Sequence, residues 1–85
     1  MQSFEYTITD SQGLHARPAG LLVREAEKFS SSVKISADDK ECDAKRLFAI
    51  MGMGIKCGSK VTLTIDGSDE TSAAEKLKDF FEKNL

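Results

Sequence analysis

The single histidine of the chain, His15, is followed by Arg17 and Pro18 in the run Leu14-His15-Ala16-Arg17-Pro18-Ala19. Proline fits the first turn of a helix, where its missing N–H costs nothing. The spacing therefore predicts a helix whose N-cap is His15. An N-cap side chain stands over the helix mouth, where the N–H groups of Ala16 and Arg17 have no intrahelical acceptor. Such a mouth attracts anions through those donors and the positive end of the helix dipole. Histidine is not a preferred N-cap residue, so helix stability does not account for its place. A neutral imidazole offers one unprotonated nitrogen as a nucleophile and is also a tolerable leaving group. Arg17 adds a planar, permanently charged fork that matches phosphate oxygens. A nucleophile, an anion nest and a guanidinium together describe a group that accepts a phosphoryl unit and passes it on. The plain alternative is a surface histidine beside a turn, with no chemistry at all.

These residues need elements to hold them. Phe4, Tyr6 and Ile8 alternate with Glu5 and Thr7, which predicts a half-buried strand over 3–9. Asp10-Ser11-Gln12-Gly13 reads as a polar turn. From Ala16 to about Phe29 the apolar spacing becomes helical, with Ala19, Leu22, Val23, Ala26 and Phe29 as the core stripe. Val33 and Ile35 mark a second strand and Asp38-Asp39-Lys40 a turn, without the glycine that signals a tight hairpin. Glu41 to Ala44 is a short third strand, and Leu47 to Met53 a short helix ended by Gly52 and Gly54. Val61, Leu63 and Ile65 alternate with threonines as a fourth strand. After Asp66-Gly67, Ser68 or Asp69 is placed to cap a last helix, which buries Ala73, Ala74, Leu77, Phe80 and Phe81. The order is β-α-β-β-α-β-α. An α+β fold follows, with an antiparallel sheet that has helices on one face and water on the other.

The 85 residues fit one domain, 1–85. Twelve basic against fourteen acidic residues leave a net charge of −2, which argues against a general nucleic-acid binder. Two cysteines, Cys42 and Cys57, cannot make a disulfide scaffold, and with one histidine they leave a zinc site short of ligands. Neither cysteine lies in an activating motif. No metal and no cofactor are expected. The first residues lack the basic and apolar regions of a signal peptide, and Leu47–Ile55 is too short to span a bilayer. The expectation is a soluble, cytoplasmic monomer.

A second face of the first helix gathers Arg17, Gly20, Leu21, Arg24 and Lys28 away from the core stripe. Gly20 costs about 1 kcal/mol inside a helix relative to alanine. It either allows close packing within the fold or leaves room for another protein. Leu47-Phe48-Ala49-Ile50-Met51 cannot bury every side chain in one short helix. Ile50 is assigned to the core, and Leu47, Phe48 and Met51 cluster at i, i+1 and i+4, with Phe48 and Met51 forming an apolar docking patch. Lys45 and Arg46 add charge at its rim. A basic and apolar face on an acidic protein predicts acidic partners and fast, salt-sensitive docking.

Gly13-Leu14-His15-Ala16-Arg17-Pro18-Ala19 matches, residue for residue, the active-site signature of the histidine-containing phosphocarrier family, HPr, of the bacterial phosphoenolpyruvate-dependent sugar phosphotransferase system. The resemblance extends over the whole chain, including Lys45–Gly54 and Asp66-Gly67-Ser68-Asp69-Glu70. It implies an open-faced β-sandwich of four antiparallel strands under three helices. It further implies that enzyme I phosphorylates Nδ1 of His15, that Arg17 steadies the phosphoryl group, and that enzyme IIA of a sugar permease receives it. Such a protein is a carrier rather than a stand-alone enzyme. Many members carry a regulatory serine just before the second helix. Arg46 stands there in this chain, so that phosphorylation does not carry over. Three rivals remain open: a carrier in a regulatory chain that moves no sugar, a small hydrolase such as an acylphosphatase, and an interaction module in which His15 is idle.

Overall fold

A computed structural model describes residues 1–85. The elements are β1 (Gln2–Thr7), α1 (Ala16–Glu27), β2 (Ser32–Ala37), β3 (Lys40–Asp43), α2 (Leu47–Gly52), β4 (Lys60–Asp66) and α3 (Glu70–Asn84). The strands form one antiparallel sheet in the order β1-β4-β2-β3. The sequence-derived order and sheet type are those observed, with strand and helix ends shifted by a few residues. The register pairs Phe4 with Leu63 and Val33 with Ile65. Val33, Ile35, Val61, Leu63 and Ile65 thus share one buried face. Thr62, Thr64, Lys34 and Glu5 lie on the other. The helices cover the apolar face only, as the period-two pattern requires.

The β2–β3 hairpin turns in two residues without glycine. Asp38 takes a positive φ of 56°, a conformation that aspartate tolerates better than most side chains. This explains why the turn is tighter than its composition suggests.

Two long-range ties set the helices on the sheet. Phe81 of α3 packs against Phe4 and Tyr6 of β1, with ring centroids 5.9 and 5.5 Å apart. The contact holds the end of α3 beside the end of β1. There the Leu85 carbonyl oxygen accepts the Thr9 and Asp10 N–H groups and the Thr9 hydroxyl, the last at 2.7 Å.

The second tie corrects the reading of the α3 cap. Asp69 occupies the N-cap position, but its side chain makes no bond to the helix it begins. Its carboxylate instead accepts the Ser30 N–H at 2.9 Å, the Ser31 N–H at 3.0 Å and the Ser31 hydroxyl. It joins the α1–β2 link to the start of α3. The Ser31 hydroxyl, then the Ser30 N–H, hold its pKa down to about 2. A depressed carboxylate stabilises the fold above its unfolded pKa and loses that contribution as pH falls through the folded value. Stability therefore drops as pH is lowered from about 4 to about 2. Asp69→Asn, compared with the parent in urea unfolding across that range, should flatten this part of the profile. An unchanged profile would contradict the assignment.

Candidate functional site

The β1–α1 loop is shaped by glycine and closed by proline. Gly13 has φ +70°, and a Cβ there would lie 2.5 Å from the Ile55 carbonyl oxygen and 2.7 Å from Lys56 Cα. Only glycine permits this close approach of two backbones. It lets Leu14 bury its side chain and donate its N–H to Ile55 at 3.0 Å. The next residue, His15, emerges as the N-cap of α1 with extended φ and ψ of −86° and −177°. Its carbonyl accepts the Ala19 N–H at 2.9 Å. The imidazole makes no capping bond and is about one-third exposed. The Ala16 and Arg17 N–H groups have no backbone acceptor, and Pro18 has no N–H to satisfy. Two N–H groups without backbone acceptors therefore stand at the mouth of α1, next to His15.

Arg17 is exposed and enters no ion pair. It lines one shallow depression with His15, Asp10, Pro18, Leu21 and Asn84. A second, adjoining depression shares Arg17 and Leu21 and adds Gly20, Arg24 and Leu47. Arg17, Gly20, Leu21 and Arg24 of the face expected from helical spacing thus run from His15 to the start of α2, while Lys28 lines neither depression and pairs with Glu25 at 3.3 Å.

Gly20 is the residue whose two readings the sequence left level. A Cβ built there meets nothing within 4 Å, so close packing inside the fold is not its reason. Gly20→Ala should raise stability by about 0.5–1 kcal/mol, the ordinary helix-propensity gain. Urea unfolding checks this, and a loss of stability would show a packing role.

On α2, Ile50 is fully buried, while Phe48 is 85% exposed and Met51 42%. Leu47 is half-buried and packs on the core while its edge faces α1. Arg46 is the exposed N-cap of α2 and lies 4.0 Å from Asp43. Lys45 differs from the free rim charge expected. Its Nζ donates to the Phe29 carbonyl at 2.9 Å and is partly buried, which ties α2 to the end of α1.

Sequence reasoning missed two residues of the His15 depression. Asp10 was read only as part of a turn, yet its Oδ2 lies 3.9 Å from His15 Nε2. The signal was present, since Asp-x-x-Gly before an N-cap histidine folds back through an Asx turn. Asn84 reaches the depression from the last turn of α3, and no local pattern reports that. Neither cysteine lines the His15 depression, although the Cys57 thiol lies 3.8 Å from the Thr9 carbonyl oxygen. Cys42 is half-buried, its thiol held above its usual range by burial and then by Asp43, and Cys57 is exposed. No group of three or more metal-ligating side chains occurs. No helix is long and apolar enough to cross a membrane.

The fold and the histidine at the helix mouth define the class of protein. The open-faced sandwich is that of the mycoplasma histidine-containing phosphocarrier protein, with a TM-score of 0.94 at 40% identity over 96% of this chain and 93% of that one. HPr-C-His from Thermoanaerobacter tengcongensis has a TM-score of 0.93, also at 40% identity, covering 98% and 93%. In sequence, the phosphocarrier protein HPr of Mycoplasma capricolum subsp. capricolum is 44% identical over 78 residues, which are 92% of this chain and 88% of that protein. The PTS-HPr family model, described as the PTS HPr component phosphorylation site, matches residues 2–83. The chain belongs to the HPr family of phosphocarrier proteins of the phosphotransferase system.

Proposed function

We propose that this chain accepts a phosphoryl group from phosphorylated enzyme I on Nδ1 of His15 and passes it to enzyme IIA of sugar permeases. One observation carries the reading: an imidazole about one-third exposed sits at the N-cap next to two helix N–H groups without backbone acceptors, and shares its depression with an unpaired guanidinium. The Ala16 and Arg17 N–H groups and the Arg17 side chain receive the phosphoryl oxygens as the bond to nitrogen forms. The helix N–H groups are fixed by the backbone before any partner arrives, and the exposed Arg17 side chain is free to close on the phosphoryl oxygens. Membership of a phosphocarrier family favours a carrier over a hydrolase. The protein acts as a cytoplasmic monomer.

Docking uses Gly20, Leu21 and Arg24 of α1 together with Leu47, Phe48 and Met51 of α2, with Arg46 at the edge. Exposed Phe48 and Met51 supply an apolar anchor that adapts to more than one partner. Arg17, Arg24 and Arg46 steer acidic surfaces toward it. Arg46 has no hydroxyl, so a serine kinase finds no acceptor at the α2 N-cap.

The test is reconstitution of the relay from phosphoenolpyruvate through enzyme I and this chain to a cognate IIA protein. The IIA protein should become labelled only when the chain is present. Label that stops on the chain with every available IIA protein would favour a regulatory relay instead. Within the same assay, Phe48→Ala should weaken docking tenfold or more while changing stability by less than about 0.5 kcal/mol, since the ring is almost wholly in water. An unchanged docking affinity would remove Phe48 from the partner face.

A further inference from the structure

We propose that Asp10 is a positioning residue for His15: its carboxylate holds the imidazole proton on Nε2 and so keeps Nδ1 available for the phosphoryl group. The inference deepens the phosphocarrier reading and rests on it for the choice of acceptor nitrogen. It concerns which nitrogen is nucleophilic and how the ring's charge is managed.

Asp10 is fixed on several sides. Its N–H donates to the Leu85 carbonyl oxygen at 2.9 Å, and its own carbonyl accepts the Gly13 N–H at 2.9 Å. Its Oδ1 accepts the Gln12 N–H at 2.8 Å. The carboxylate can therefore not swing away without opening the turn that precedes His15. The remaining oxygen, Oδ2, faces His15 Nε2 at 3.9 Å. That is an electrostatic contact rather than a full hydrogen bond. It is sufficient to bias a tautomer, because a neutral imidazole must place its one proton on one nitrogen or the other. A carboxylate beside Nε2 favours N–H there and a lone pair on Nδ1.

The same contact acts during transfer. The Nδ1 lone pair forms the bond to phosphorus while the donor's bond to phosphorus breaks, its electron pair staying with the donor. No proton moves. The ring, already carrying its proton on Nε2, becomes an N-phosphorylated imidazolium. Its positive charge develops beside Oδ2, so Asp10 favours the charged carrier over the uncharged one. Passing the group on reverses these steps and returns the ring to neutrality. Arg17 faces the phosphoryl oxygens and Asp10 the ring, which divides the two charges of the intermediate between two residues.

Asp10→Asn gives a sharp test. Asparagine can keep the bond from Gln12 through its Oδ1, which leaves its NH2 group facing Nε2. A donor there favours the lone pair on Nε2 and moves the proton to Nδ1. Ring 15N shifts of histidine-labelled protein, measured where the imidazole is neutral, report the tautomer directly. The parent should show the Nε2–H form, and Asp10→Asn a severalfold shift toward Nδ1–H. Phosphoryl acceptance should slow by about tenfold, as expected for losing one partly solvated charge contact and blocking the nucleophile. Asp10→Ser, which lacks both carboxylate and amide, should lie between the two in tautomer ratio. It also serves where the amide disturbs the loop.

Slower acceptance with an unmoved tautomer would assign Asp10 a purely structural part and overturn the proposal. An unmoved tautomer with unmoved acceptance would overturn it as well. The tautomer is read on the unphosphorylated protein. A parent chain that accepts no phosphoryl group would therefore defeat the carrier reading without disturbing the Asp10 measurement, so the two failures are distinguishable.

Discussion

His15→Ala should abolish phosphoryl acceptance and leave the fold in place. The imidazole makes no capping bond to α1, and it lies partly in solvent. Its removal deletes neither a buried group nor a helix contact, so stability should change by no more than about 0.5 kcal/mol. The loss of acceptance is complete rather than partial, because the one histidine of the chain is the only imidazole available to form the bond. The proposed docking face comprises Leu21, Phe48 and their neighbours, not the ring alone. The variant should therefore still bind enzyme I and compete with the parent chain in a relay assay. Residual adduct on the variant would place the acceptor elsewhere. A variant that transfers nothing and also fails to compete would show that the ring is part of the docking contact.

Gly13→Ala should have the largest effect on stability among changes near the site. Two costs coincide there. A non-glycine residue at φ +70° carries the strain of a left-handed conformation, and the new Cβ would stand 2.5 Å from a backbone oxygen and 2.7 Å from a backbone carbon. Neither neighbour is a flexible side-chain end, so the β1–α1 loop must lift from the Ile55–Lys56 segment. Lifting it stretches the Leu14 to Ile55 bond and unpacks Leu14. The combined cost is about 2–4 kcal/mol, read as a lower midpoint in urea. Acceptance should fall with it, since His15 rides on the displaced loop. A change within about 0.5 kcal/mol would mean that the loop yields freely, contrary to the contact described.

The elements that position the site were legible because their signals are local. Pro18 set the helix start, and with it the N-cap place of His15. Alternation in Val61, Leu63 and Ile65 marked β4, and the apolar stripe from Ala19 to Phe29 marked α1. The family signature around His15 supplied the phosphoryl chemistry that helix geometry alone left open. What was not legible depends on residues far apart in the chain. The Asp69 carboxylate meets Ser31 across 38 positions, and Thr9 meets Leu85 across 76. Lys45 reaches Phe29 across 16. Polar side chains of this kind have no periodicity to betray a distant partner. Asp69 illustrates the point, for its position at a helix start suggested a cap, and the N–H groups of a different loop claimed its oxygens. Gly20 was undecided for a related reason, since only the space around it separates packing from access.

Phosphocarrier function requires that this chain carry a phosphoryl group on His15. The measurement is intact mass of the protein after incubation with purified enzyme I and phosphoenolpyruvate, repeated after mild acid, with His15→Ala beside it. The expected result is one phosphoryl adduct on the parent, lost in acid as a phosphohistidine is and absent from the variant. No adduct with an active cognate enzyme I, or an acid-stable adduct that persists in His15→Ala, would contradict it.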